Sequence, residues 1–213
     1  MNTDASASTE TSMNEAPRSY PRLIDCGGAQ VEIARMGTGD RQALVALVAT
    51  LSPHDLLFLR RDISHPKVLD AWMQALDAGG LASLVAWDGS RMIGCTAIFT
   101  DELSWSPHVG ELRVLLDPGW RGKGLGRVLM QECFVQALEL GLTKLVAQMT
   151  TDQRAAIAVF EELGFQAEAL LARHVRDRDG ALHDLVLLSH DVGAVRARNE
   201  LLGLDDAAGA PGR

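Results

Sequence analysis

Along the chain, apolar and polar positions change period several times, and each change marks an element. Val31, Ile33 and Arg35 alternate with Glu32 and Ala34, the period of a half-buried strand, and Thr38 then offers a cap for a helix over residues 41–51. Residues 53–59 and 65–76 carry apolar side chains at helical spacing, the second stretch closing at Gly79-Gly80. Two strand-like runs, 81–87 and 92–99, meet at Asp88-Gly89, a dipeptide suited to a tight hairpin. Residues 109–116 predict the next strand, and 125–140 a helix with a stripe of Leu129, Cys133, Val135 and Leu138 that ends at Gly141. A strand over 144–149 follows, so strand, crossover helix and strand come in order and imply a parallel pair with a right-handed crossover. A last helix over 153–163 precedes strands at 165–175 and 182–188, joined at Asp179-Gly180. The sum is an α/β chain with a mixed, twisted sheet of about seven strands and four or five flanking helices.

Composition narrows the class. With 213 residues, 47% of them hydrophobic, the chain can build one well-buried domain with tails, and no second full domain is expected. The formal charge of −8 argues against binding the phosphate backbone of nucleic acid non-specifically. Cys26, Cys95 and Cys133 are odd in number and far apart, neither a zinc spacing nor a disulfide framework, which points to a reducing cytoplasm. Residues 1–22 are rich in Ser, Thr, Asn, Asp and Glu, with no apolar core of a signal peptide, and are expected to form a disordered tail. Residues 192–213 form a second expected tail around a domain at 29–191. No run approaches the ~18 apolar residues of a membrane span.

The candidate chemistry centres on Asp117-Pro118-Gly119-Trp120-Arg121-Gly122-Lys123-Gly124-Leu125-Gly126-Arg127, between a strand and a helix. Gly122, Gly124 and Gly126 leave the main chain bare where loop becomes helix, so several N–H groups can converge on an anion. Arg121, Lys123 and Arg127 add positive charge. Hydrogen bonds to a charged group contribute roughly 1.5–3 kcal/mol each, so four or five hold a pyrophosphate firmly. The spacing excludes a Walker loop, because Gly124 follows the lysine where Ser or Thr is needed. A dinucleotide fingerprint fits poorly too, since its third glycine falls on Arg127. What fits is Arg-x-x-Gly-x-Gly: Arg121, Gly124, Gly126.

At these residues the chain resembles the GNAT superfamily of acyl-CoA N-acyltransferases, whose loop reads R/Q-x-x-G-x-G/A. The stretch Gln153-Arg154-Ala155-Ala156-Ile157-Ala158-Val159-Phe160-Glu161-Glu162-Leu163-Gly164-Phe165 is similar to a later helix of that family, N-x-x-A-x-x-x-Y-x-x-x-G-F. The resemblance covers roughly residues 29–191 and implies a GNAT-like fold that moves an acetyl group from acetyl-CoA to a primary amine by direct attack. It implies that Arg121, Gly122, Lys123, Gly124, Leu125, Gly126 and Arg127 hold the pyrophosphate of coenzyme A. The main chain of Val114, Leu115 and Leu116 would take the pantetheine arm as an added strand. Gln153 stands where relatives often have Asn, and Phe160 where many have a tyrosine that protonates the leaving thiolate. Phenylalanine has no proton to give, so water, Ser104 or another hydroxyl is left to compensate. The substitution also keeps open a non-catalytic coenzyme A sensor, and the helix end alone leaves an unrelated nucleotide-phosphate binder as a rival.

Amine acylation needs a neutral nucleophile. A lysine-like amine of pKa ~10.4 costs about 4.6 kcal/mol to deprotonate at pH 7, an α-amino group near 8 only about 1.4. Glu111, on the strand before the loop, is the candidate base, with an ion pair to Arg113 two residues on as the alternative role. Phe160 can equally pack in the core, and Gln153 can be a first-turn residue behind an Asp152 cap. The six histidines show no ligand spacing, no metal is implied, and only His108 is kept as a possible wall of the acceptor pocket, with Asp101, Glu102, Trp105 and Trp72. Cys95 and Cys133 sit in apolar runs without an activating base, against an acyl-cysteine route. The acceptor, a small-molecule or peptide amine, is not legible, although the acidic balance slightly favours cationic ones. A terminal strand offers a route to a homodimer.

Overall fold

The computed structural model describes residues 18–57, 59 and 61–194. Gly27 and Gly28, both at positive φ (62° and 84°), turn the chain between β1 (Arg22–Cys26) and β2 (Ala29–Arg35), an antiparallel hairpin in which Arg22 faces Ile33. β1 was not foreseen. It and residues 18–21 belong to the folded body, because the buried carboxylate of Glu132 gathers Arg18 (2.9 Å), the Tyr20 hydroxyl (2.8 Å) and Arg22 (2.6 Å). Residues 18–22 are therefore not part of the expected N-terminal tail. The remainder of both expected tails lies outside the described residues.

After β2 come α1 (Arg41–Ala49) and α2 (Pro66–Asp77), then β3 (Leu81–Ala82), β4 (Leu84–Asp88), β5 (Arg91–Phe99) and β6 (Val109–Leu116). α3 (Leu125–Glu139), β7 (Lys144–Thr150), α4 (Arg154–Glu162), β8 (Gln166–Arg176) and β9 (Leu182–Asp191) follow. The sheet runs β1-β2-β4-β5-β6-β7-β9-β8, with β3 beside β5, and every pair is antiparallel except β6–β7. That one parallel pair is joined through α3, as the order of elements predicts. Among the described residues two differences raise the strand number to nine: β1 is added, and the single run expected over 81–87 breaks at Ser83. There the Ser83 hydroxyl bonds the Thr96 carbonyl, and the Thr96 hydroxyl accepts from Leu84 N at 3.1 Å.

The helix expected at 53–59 is only a 3-10 turn over His54–Leu56, and Thr38 opens a turn rather than capping α1. His65 caps α2 through its ring nitrogen, which accepts from Lys67 N at 3.2 Å. On α3 the buried face is Leu129, Met130, Cys133, Gln136 and Ala137; Val135 is half-buried and Leu138 exposed, so the stripe drifts off the expected line after Cys133.

Two layers of helix cover the two faces of the sheet. Leu44, Leu47, Leu69, Trp72 and Met73 from α1 and α2 pack with Cys95, Ala97 and Leu115, while Met130, Cys133 and Ala137 from α3 pack with Ile98 and Leu112. Because side chains alternate along β6, Glu111 and Arg113 share the α1–α2 face with Leu115. Gly110 lies on the α3 side, where a Cβ would come within 2.7 Å of Leu142, 2.8 Å of Ile98 and 3.0 Å of Leu145. Gly110→Ala is expected to lower stability by about 1–3 kcal/mol, read as a shift of the urea midpoint, since three buried neighbours must shift to admit the methyl.

Candidate active site

β6 runs out at Leu116 into a turn pinned from below. Asp117 N donates to Ile93 O (2.9 Å), and the buried Asp117 carboxylate accepts from Gly119 N (2.8 Å) and pairs with Arg91. Past Trp120 the chain passes through Gly122 (φ 73°) and Gly124 (φ 85°), conformations that cost other residues energy, and Gly124 becomes the N-cap of α3 with no side-chain cap. Leu125 is fully buried and anchors the helix start, and the internal bonding begins with Val128 N to Gly124 O (3.1 Å). By helix geometry the N–H groups of the first turn, Leu125, Gly126 and Arg127, have no intrahelical acceptor. Gly126 is not at positive φ, and a Cβ there would meet nothing nearer than Leu116 at 3.8 Å. The fold itself does not require glycine at 126; an anion lying on the helix end would limit the position to a small side chain.

The cationic side chains of this loop are engaged on their own chain. Arg121 reaches Asp55 (3.0 Å), Lys123 Nζ sits 4.6 Å from the centre of the Trp120 ring, and Arg127 pairs with Glu162. Burial alone would lift the Asp55 carboxyl, but hydrogen bonds from Ser52 and Arg121 outweigh it and hold the group below the usual carboxylate range. Arg121 and Arg127 are about half exposed (48% and 46%), and ion pairs of that kind contribute about 0–1 kcal/mol, so both can exchange onto an incoming phosphate.

Beside this helix start the parallel strands part. β6 and β7 pair only at Val109–Lys144, Gly110–Leu145 and Glu111–Val146; further on, β7 pairs with β9 alone. Residues 112–116 of β6 keep their bonds to β5 and present the other edge to the gap, so the main chain of Val114, Leu115 and Leu116 lies where an extended ligand arm can join the sheet.

Glu111 stands at the fork. Its carboxylate accepts from Arg113 at 2.7 Å, with the two side chains only 14% and 10% exposed, so the ion pair considered from sequence is present. The Arg113 guanidinium lies 4.5 Å over the Phe99 ring, which meets Trp72 edge-on at 5.2 Å. These residues line a cavity of about 550 Å³ together with Ala71, Asp101, Ser104, Val109 and Val146. The exposed Arg61 lines it too, while Trp72 Nε1 and Arg113 Nε are shut off from solvent and without a hydrogen-bond partner.

Other expected positions fall differently. Phe160 is 7% exposed and packs edge-on to Phe165 (4.9 Å) within the α3-side core, while Gln153 is the half-buried N-cap of α4 with no side-chain cap. Asp152 does not cap that helix; its carboxylate reaches His54 at 2.9 Å. Trp105 is fully exposed, His108 is exposed, and Ser104 bonds Asp101 O at 2.9 Å on the cavity rim. Sequence reasoning missed Asp55, and missed His54 and His183, because residues far apart in the chain carry no local spacing that announces their meeting.

All three cysteines are buried, and burial pushes the Cys95 and Cys133 thiols up to about 12. A thiol-specific reagent is therefore expected to modify neither in the native protein and both after denaturation; rapid native labelling of Cys95 or Cys133 contradicts this environment.

A sheet whose central parallel pair opens beside a glycine-lined helix start defines an α/β domain with a mixed sheet. Residues 51–165 match the acetyltransferase (GNAT) family, and the chain belongs to that family. It is 31% identical over 156 residues to a mycothiol acetyltransferase of Geodermatophilus obscurus, a match covering 70% of this chain and 48% of the relative, so the chain spans about half the length of that relative. It is 29% identical over 136 residues to an L-amino acid N-acyltransferase of Escherichia coli, covering 61% of this chain and 78% of the relative. Among solved structures, a ribosomal-protein-alanine N-acetyltransferase of Brucella melitensis superposes with a TM-score of 0.64 at 22% identity, over 75% of this chain and 98% of that one. A spermidine N-acetyltransferase of Vibrio cholerae, in complex with CoA and spermine, gives 0.63 at 17% identity over 76% and 95%. These two likenesses establish the shared fold. Among the described residues no helix is long and apolar enough to cross a membrane.

Proposed function

We propose that this chain transfers an acetyl group from acetyl-CoA to a primary amine, and that the amine also carries a carboxylate. The observation that carries the reading is the fork itself, where a bare helix start, an unpaired stretch of β6 and a carboxylate-bearing cavity meet at one end of a parallel strand pair. Acetyl-CoA supplies an activated acyl group as its thioester. The first-turn N–H groups of α3, with Arg121, Lys123 and Arg127, hold its pyrophosphate, and the main chain of Val114 to Leu116 orients its arm along β6. Glu111 takes the proton of the acceptor amine at its carboxylate oxygen, directly or through a water. Arg61 and Arg113, whose side chains line the cavity, supply cationic donors matched to a carboxylate on the acceptor, the kind of acceptor named for the Escherichia coli relative.

The test is release of free thiol from acetyl-CoA in the presence of a panel of amino acids, polyamines and peptides, with the acetylated product identified by mass. Amine-dependent release, fastest with amino acids, is expected. A chain that binds acetyl-CoA yet acetylates none of the panel overturns the catalytic reading, and a polyamine preference overturns the acceptor.

A further inference from the structure

We propose that His54, Asp152 and His183 form a binding site for one divalent ion of the zinc class. The three side chains come from the turn after α1, the turn between β7 and α4, and the start of β9, and one ligand atom from each lies within 4.8 Å of the others. His54 Nε2 and Asp152 Oδ2 are 2.9 Å apart, and the two imidazoles meet at 5.3 Å between ring centres. Ligands at ~2.0–2.2 Å from a tetrahedral ion stand roughly 3.3 Å from one another, so small side-chain rotations convert this cluster into a coordination shell.

The donor set selects the ion. Two imidazoles and a carboxylate suit zinc, cobalt or nickel, whereas calcium and magnesium call for oxygen ligands throughout. Three protein ligands leave a position for water. The Asp177 carboxylate lies 2.7 Å from His183 Nε2, the carboxylate–imidazole contact that fixes ring orientation behind a metal ligand. Access is open, with side-chain exposures of 39% for His54, 56% for Asp152 and 24% for His183. The ion joins the turn after α1 to the neighbouring ends of β7 and β9, which already meet through Thr151 N and Asp184 O (3.1 Å). The turn after α1 carries Asp55, the partner of Arg121 in the glycine loop, so the ion also fixes a turn at the border of the anion site. The proposal stands apart from the acetyl-transfer reading, because none of its ligands belongs to the helix start or the fork.

Isothermal titration of ZnCl2 into the full chain, stripped beforehand with a chelator, tests it. One equivalent is expected to bind and to raise the melting midpoint. CoCl2 should give d–d bands of nitrogen and oxygen ligation without a thiolate charge-transfer band. His54→Ala and Asp152→Asn should each weaken binding by about 10–100-fold or more, and Asp177→Asn by about 10–100-fold, with His174→Ala unchanged. Both ligand positions are solvent-exposed enough for these variants to keep the wild-type circular dichroism. Absence of heat with Zn2+ and Co2+, or binding undiminished in His54→Ala and Asp152→Asn, overturns the site and leaves His54 and Asp152 as an ion pair only.

Discussion

Gly126→Val is expected to abolish useful binding of coenzyme A while leaving the protein folded. The position is inside the first turn of α3, where φ is ordinary and a Cβ has open space on the protein side, its nearest neighbour being Leu116 at 3.8 Å. Valine is, if anything, a better helix former than glycine, so stability should change by less than about 1 kcal/mol. What the branched side chain fills is the space directly over the open N–H groups of Leu125 to Arg127. Losing two charge-assisted hydrogen bonds at roughly 1.5–3 kcal/mol each weakens binding by about 10²–10⁴-fold. Gly126→Ala, which adds one methyl, should be tolerated, in keeping with the G/A choice in the loop pattern. Calorimetric titration of coenzyme A alongside thermal melts separates the two quantities; undiminished affinity in the folded valine variant would falsify the placement of the pyrophosphate on this helix end.

The loop's shape was legible in the sequence because it is local: Arg121, Gly124 and Gly126 lie within one short stretch of chain, and the glycines at 122 and 124 do adopt the positive φ that their bare main chain suggested. The parallel β6–β7 pair was legible for the same reason, a crossover helix being written contiguously between two apolar runs. β1 was missed although its cue is local too: Gly27-Gly28 between Arg22–Cys26 and Ala29–Arg35 is a hairpin signal, obscured by the polar residues before it. The 3-10 turn at His54–Leu56 shows the opposite failure, a helical apolar spacing too short to propagate. The Arg121–Asp55 and His54–Asp152 contacts were beyond reach, since each depends on how the turn after α1 folds back over the sheet, and no periodicity encodes that. Phe160 illustrates a subtler limit. Motif alignment put it in the catalytic tyrosine's place, whereas its environment is the aromatic packing of Phe165, which the sequence pattern alone does not distinguish from a ligand wall.

Glu111→Gln carries the second large expectation, a fall in the rate of transfer of about 10²–10⁴-fold with acetyl-CoA binding retained. The amide is nearly isosteric and its oxygen still accepts from Arg113, but it cannot take a proton from an amine. Its loss of charge also leaves the Arg113 guanidinium, 10% exposed, beside a neutral partner, at a cost of about 1–3 kcal/mol, so the melting midpoint should drop as well. The double variant Glu111→Gln with Arg113→Met removes that stranded charge and should recover part of the lost melting midpoint. The pH profile gives the sharper distinction. With solvent left to deprotonate the acceptor, activity of the single variant should climb as pH approaches the pKa of the amine, ~8 for an α-amino group, narrowing the gap to the wild type. A variant that loses rate by the same factor at every pH would instead assign Glu111 to holding Arg113, and a variant with wild-type turnover would remove it from the chemistry.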